Sequence, residues 1–237
     1  MTAMDATIPT HSLNVDKARF NMIEQQIRPW DVADSAVLGI LRELPREAFT
    51  PEAYQSLAFA DLDVPLSSPA VEGECMLPPK VQARMAQDVA VQPTDTVLHI
   101  GTGSGFMAAL LGKQAKHVLS LEINPQLAQT AKANLQRVGI SNVDVRCADA
   151  AEHGFKACTV QGPYDVILLS GSIAQVPDAL LPLLKVGGRL LAIVGDEPVM
   201  RATLVTRASE TAYATEQPWD YTAPRLRNFP QPSAFRF

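Results

Sequence analysis

The stretch VLHIGTGSGFMAALL, residues 97–111, ends an apolar run at Ile100 and sets Gly101, Gly103 and Gly105 at alternate positions before a helical pattern begins. Glycines there permit a tight turn and close approach of the backbone to a ligand, and the first N–H groups of the following helix offer donors to oxygen. The next apolar run, VLSLE (118–122), ends in Glu122, whose carboxylate can accept hydrogen bonds from both hydroxyls of a ribose. Asp149, just after VDVRC (143–147), stands where a carboxylate can accept from an adenine amino group. Dinucleotide sites use GxGxxG, with the helix end facing a pyrophosphate. Here the loop is GxGxG followed by Phe106. The shorter loop suits a nucleoside without phosphates, which points to S-adenosylmethionine. Other chemistries lack their residues: there is no GxSxG, no YxxxK, no HExxH and no CxxC, so no nucleophile elbow and no metal site is expected.

The elements that must hold these residues can be read from periodicity. Residues 16–28 predict a helix capped by Asp16, with Phe20, Ile23 and Ile27 inward and Pro29 at its end. Residues 34–44 predict a second, capped by Asp34, with Val37, Leu38, Leu41 and Leu44 inward and Pro45 as its stop. Residues 50–79 hold five prolines and little periodicity, which predicts a long surface segment. Pro79 opens a helix to Val89. From residue 93 onward apolar runs at 97–100, 118–122, 143–147, 165–170 and 189–195 alternate with helical patterns, including one near 177–184, and 200–217 adds two antiparallel strands. Near-continuous apolar strands between amphipathic helices imply a parallel sheet covered on both faces. The expected fold is α/β: a doubly wound, mostly parallel, seven-stranded sheet of the Rossmann-like type with an N-terminal helical extension. The expected division is a flexible tail (1–15), a helical cap with the acceptor-site segment (16–92), the cofactor-binding domain (93–222) and a C-terminal surface tail (223–237).

Composition limits the partners. The 237 residues carry a formal charge of −5, which speaks against a nucleic-acid backbone as partner. The three cysteines (Cys75, Cys147, Cys158) are odd in number and widely spaced, so no disulfide framework is expected and a reducing cytoplasm fits. No apolar run is long enough to span a bilayer, and the first residues show no signal-peptide pattern. The charge is uneven. Residues 1–95 hold 14 acids and 7 bases, and six acids (Glu47, Glu52, Asp61, Asp63, Glu72, Glu74) lie between Arg46 and Lys80 with no base among them. An anionic acceptor under such a segment needs a cation from elsewhere, and Arg225 and Arg227 are the candidates.

Three motifs, VLHIGTGSGFMAALL, LSLEINPQLAQTAKANL and LLKVGGRLLAIVG, together with the N-terminal MIEQQIRPWDVADSAVLGILRELPREAFTPEAYQSLAFADLDVPL, carry a resemblance. Over about residues 19–237 the chain resembles the protein-L-isoaspartate O-methyltransferase family of class I, S-adenosylmethionine-dependent methyltransferases. The resemblance implies methyl transfer to the carboxylate of an isoaspartyl residue in a damaged protein. It implies a cofactor site of Gly101, Thr102, Gly103, Ser104 and Gly105 with Phe106, Glu122 with Ile123 on the ribose, Asp149 with Ala150 at the adenine, and Ser170 near the methyl donor. The family's active-site segment, Gly-Gln-Thr-Ile-Ser before a small residue and proline, matches GECMLPP here. Cys75 then stands for the threonine and Leu77 for the serine, and leucine offers no hydrogen bond. His99 stands where the family has an acid near the cofactor's methionine end. A different acceptor, or a cofactor-binding relative without catalysis, is the alternative these two positions leave open.

Overall fold

The computed structural model describes residues 10–231; residues 1–9 and 232–237 of the two expected tails lie outside the described residues. Helix α1 spans Thr10–Met22 and runs into a π-helical stretch, Ile23–Ile27, and a 3-10 turn, Arg28–Trp30. It starts six residues before Asp16, so residues 10–15 are helical where a flexible tail was expected, and Asp16 accepts from Arg19 rather than capping. Phe20 is exposed and Met22 is buried with Ile23 and Ile27, because the π turn alters the angular step and rotates the inward stripe. Helix α2, Ser35–Glu43, is capped by Asp34, which accepts from the Val37 amide at 2.8 Å.

The proline-rich segment is not a surface loop throughout. It folds two short strands, β1 (Val64–Pro65) and β2 (Cys75–Met76), paired antiparallel, and buries Val64, Met76 and Leu77. Helix α3, Pro79–Val89, follows, with Val81, Met85 and Val89 inward.

The remaining strands form one sheet: β3 (Thr96–Ile100), β4 (His117–Glu122), β5 (Val143–Cys147), β6 (Tyr164–Ile173), β7 (Leu184–Asp196), β8 (Val199–Arg207) and β9 (Tyr213–Asp220). Their order is β5-β4-β3-β6-β7-β8-β9; the first five strands pair parallel, and the β7–β8 and β8–β9 pairings are antiparallel. Helices α4 (Phe106–Gly112) and α5 (Pro125–Arg137) connect β3 to β4 and β4 to β5. The chain leaves β3 toward β4 on one side and later returns to β6 on the other, so a crevice opens at the carboxyl ends of these three strands.

Alternate residues of β3 enter two cores. Val97 packs with the helical layer and Leu98 with the opposite one. That opposite face is covered by Phe155, Cys158, Leu180 and Phe229 from turns and the C-terminal segment. The helix expected at 177–184 is only a 3-10 turn, Leu181–Leu183; Pro182 removes a donor and Pro177 lies at its approach. The C-terminal segment is also more than a surface tail. The Ser172 amide donates to Pro224 O (2.8 Å) and the Leu226 amide to Ser172 O (2.9 Å), which lays residues 224–226 parallel to the end of β6 and buries Ala223 and Phe229.

Candidate functional site

The glycine loop is formed by backbone that only glycine adopts easily. Gly101, Gly103 and Gly105 have φ of 86°, 54° and 90°. A Cβ on Gly105 would come within 3.3 Å of the Ala131 backbone, which is why α4 and α5 pack so closely there. The Gly101 amide donates to Leu121 O at 2.9 Å, tying the loop to the end of β4. At Gly101 and Gly103 a Cβ would meet Leu226 Cδ2 (3.1 Å) and Leu66 Cδ1 (3.0 Å), the far ends of side chains that form the crevice's other walls. The loop thus presents bare backbone to a ligand-sized space.

That space is lined by Gly101, Gly103, Glu122, Ile123, Asp149 and Ala150 of the expected cofactor set, and by Cys75 and Ser170 of the expected acceptor set. Glu122 accepts from the Gly103 amide (2.8 Å) on one oxygen and from the Asn124 amide (3.0 Å) on the other. Each oxygen keeps a second lone pair for a ligand hydroxyl. Asn124 is itself the N-cap of α5, accepting from the Gln126 amide at 2.9 Å. Asp149 accepts from the Ala151 amide (2.9 Å) and from Asn228 Nδ2 (2.6 Å). Two carboxylates, bare amide backbone and the apolar Leu66, Leu127, Leu226 and Phe229 fit a nucleoside with an uncharged base and free ribose hydroxyls.

Six expected residues do not line this space. Thr102, Ser104 and Phe106 are buried behind the loop, and Gly105 packs on α5. Phe106 lies under the Arg46 guanidinium, 4.7 Å from carbon to ring centroid, and edge-on to Phe49. His99 is fully buried. Its ring nitrogens hydrogen-bond the hydroxyls of Ser120 (2.9 Å) and Ser170 (2.8 Å), and Ser120 meets Thr102 at 2.6 Å. Burial pulls its pKa down to about 3, so the ring is neutral and repels no cation. It reaches the crevice only through Ser170. Leu77 is also a core residue outside the crevice; its carbonyl accepts from Arg46 Nη2 at 2.7 Å. The position matched to the family's serine therefore faces protein.

Cys75 sits beside Asp63. Burial, with the Asp63 charge adding to it, pushes the thiol up to about 12, so it is no nucleophile at neutral pH. Burial likewise raises the Asp63 carboxyl, against the hydrogen bond it accepts from Tyr221 at 3.3 Å.

Leu66, Gly73 and Glu74, which lie in the matched segments but have no expected part in the site, complete the walls with the C-terminal Leu226, Arg227 and Phe229. Glu74 accepts from Asn124 Nδ2 (3.0 Å) and Arg227 Nη2 (2.9 Å), joining the acidic segment, α5 and the C-terminal segment over the crevice. The signal was one of charge: six acids without a base in one stretch, and arginines without an acid in the other. Three of those six acids are ion-paired: Glu47 with Arg19, Asp61 with Lys80, and Glu74 with Arg227. Among the described residues there is no cluster of three or more metal-ligating side chains and no helix long and apolar enough to cross a membrane.

The chain resembles proteins of one kind. A protein from Rhodopseudomonas palustris named protein-L-isoaspartate O-methyltransferase is 38% identical over 196 residues, 82% of this chain and 86% of that protein. One of the same name from Protochlamydia amoebophila is 40% identical over 174 residues, 73% of this chain and 79% of that one. A Plasmodium falciparum crystal structure described as a protein-L-isoaspartate O-methyltransferase in complex with S-adenosyl-L-homocysteine superposes with a TM-score of 0.72 at 18% identity, covering 89% of this chain and 98% of that one, and shows the shared fold. Residues 17–219 match the family model, and with these relatives that places the chain in the protein-L-isoaspartate(D-aspartate) O-methyltransferase family.

Proposed function

We propose that the protein is an S-adenosylmethionine-dependent O-methyltransferase that methylates the carboxylate of isoaspartyl residues in damaged proteins. The observation that carries this is the crevice at the carboxyl ends of β3, β4 and β6, where glycine backbone, Glu122 and Asp149 form a nucleoside cradle in a chain of this family. Glu122 would accept from the ribose hydroxyls with Ile123 beside it, Asp149 and Ala150 would hold the adenine end, and Gly101 and Gly103 would let the backbone approach. The cofactor, when bound, supplies a methyl group already activated on a sulfonium. The chain's residues align the acceptor and exclude water. Leu66, Leu226 and Phe229 form the apolar walls, and the Glu74–Arg227 pair closes the roof.

A carboxylate acceptor is ionised at neutral pH, with a reference pKa of about 4, and needs no general base. The neutral His99 and the high-pKa Cys75 agree with a site that has none. The acceptor is a protein or peptide rather than a nucleic acid, in keeping with the net negative charge, and the setting is the cytoplasm. A second reading, a different methyl acceptor, is favoured by Leu77, which offers no hydroxyl and faces the core.

The test is transfer of labelled methyl to an isoaspartyl peptide against its aspartyl isomer, after calorimetry has established binding of S-adenosylhomocysteine. Transfer selective for the isoaspartyl peptide is expected. Cofactor binding with no transfer to either peptide rejects the acceptor and leaves the second reading.

A further inference from the structure

Arg225 stands at a junction. It lines the nucleoside crevice and also a neighbouring groove, whose other walls include Asp63, Glu72, Glu197 and Met200. The two spaces share only Arg225 and Gly73, so any acceptor that enters along the groove passes this arginine before it meets the crevice.

The backbone of Arg225 is fixed. It is the residue bridged to Ser172 of β6, between the hydrogen bonds of Pro224 and Leu226. Its Nη2 donates to Gly195 O (2.8 Å) and to Asp196 Oδ1 (2.6 Å), which holds the guanidinium in place and accounts for both hydrogens on that nitrogen. Nη1 is buried and has no partner among the described residues. Its bridge partner Ser172 is fully buried, and the Ser172 hydroxyl is also without a partner there. Paired residues of a ladder present their side chains on the same face. An unsatisfied buried donor on an arginine that lines two open spaces calls for an explanation, and a ligand drawn onto its guanidinium is one.

The surroundings specify the ligand's charge. Crevice and groove together are walled by Glu74, Glu122, Asp149, Asp63, Glu72 and Glu197, and among the described residues their only cations are Arg225 and Arg227. Arg227 is paired with the largely buried Glu74, whereas the partner of Arg225 is the exposed Asp196. An anionic acceptor in such a field needs a cation at the point of entry, and the position matched to the family's serine, Leu77, contributes nothing to either space.

We propose that the Arg225 guanidinium binds the acceptor's carboxylate at the mouth between groove and crevice. This rests on the reading of the protein as a carboxyl methyltransferase. The arginine supplies the charge complement and orientation that this chain does not obtain from residue 77. A guanidinium suits the task because it keeps its charge and its planar donors are already oriented by Gly195 and Asp196.

The test is steady-state kinetics of R225Q and R225K with an isoaspartyl peptide, alongside calorimetric binding of S-adenosylhomocysteine. R225Q is expected to raise KM for the peptide ten- to a hundredfold, with the affinity for S-adenosylhomocysteine within twofold of the parent protein. R225K, which keeps the charge, is expected to recover part of the loss. A peptide KM for R225Q within threefold of the parent's overturns the assignment. So does a parallel loss of S-adenosylhomocysteine affinity, because that marks a structural role. If the parent protein transfers nothing to the peptide, the functional reading fails instead. Arg225 is then judged by calorimetry of the peptide and its methyl ester with the S-adenosylhomocysteine-loaded protein. Equal affinity for the two overturns it; tighter binding of the free carboxylate that is lost in R225Q supports it.

Discussion

Arg46 is a buried cation with no carboxylate partner among the described residues, and replacing it tests how the N-terminal cap is joined to the site. Its Nε donates to Ala58 O (2.8 Å), Nη2 to Leu77 O (2.7 Å) and Nη1 to Gln82 Oε1, while the guanidinium stacks on Phe106. One side chain thus links the proline-rich segment, α3 and the first residue of α4. Burial pulls its pKa down to about 9 from 12.5, which corresponds to a cost of about 5 kcal/mol for the charged form. Against this stand three hydrogen bonds to a charged donor at about 1.5 kcal/mol each and a cation–π contact of about 1.5 kcal/mol.

R46M removes both sides of that balance, for a loss of about 1 kcal/mol, and leaves three buried acceptors with weaker partners at a further cost of about 2–3 kcal/mol. The net expectation is about 3–4 kcal/mol. For a chain of this length that lowers Tm by roughly 6–15 °C in thermal unfolding followed by circular dichroism or calorimetry. R46K keeps the buried charge but loses the planar reach, so it is expected to be no more stable than R46M. A Tm for R46M within 2 °C of the parent's, or R46K clearly more stable than R46M, refutes the reasoning. The first outcome would mean that the three acceptors re-pair at no cost, and the second that charge matters more than geometry.

Three further outcomes follow from the site. His99 has a folded pKa near 3, below its unfolded value of 6.5, so between these the unfolded chain binds a proton that the native one does not. Stability therefore rises with pH across that window and is lost as pH falls, by about 2 kcal/mol at pH 5, and H99Q should remove that share of the slope in denaturant titrations at pH 5 and 7.5. Glu122 bonds two amides with its two oxygens, so E122Q turns one acceptor into a donor; S-adenosylhomocysteine affinity should fall ten- to a hundredfold by calorimetry, and an unchanged value would remove Glu122 from the cofactor site. Of the three free cysteines only Cys147 is exposed, so a thiol-counting assay at pH 7.5 should find one fast-reacting group per native chain, with Cys75 and Cys158, whose thiols burial raises to about 12, reacting after unfolding.

Local chemistry wrote much of this molecule into its sequence. The GxGxG turn, Glu122 at the end of β4 and the Asn124–Pro125 start of α5 depend on backbone freedom, strand alternation and capping, which act over a few residues and leave a readable pattern. The parallel sheet followed from the alternation of apolar strands and helices. What the pattern could not assign was which loop residues face the ligand. Gly101 and Gly103 do, while Thr102, Ser104 and Phe106, equally part of the motif, turn into the protein because the tight turn alternates its exposed side. Long-range packing decided the rest. His99 became a neutral buried link to Ser170 only because β3, β4 and β6 are neighbours in the sheet. Leu77 became core because Arg46, 31 residues away, holds its carbonyl. The C-terminal segment, without periodicity of its own, became a wall of the site because the carboxyl end of β6 had backbone groups to pair with it. Composition had set the acids of one stretch against the arginines of another; the fold alone put Glu74 under Arg227 and left Arg225 facing the groove, since charge pairing across more than 150 residues leaves no local signal.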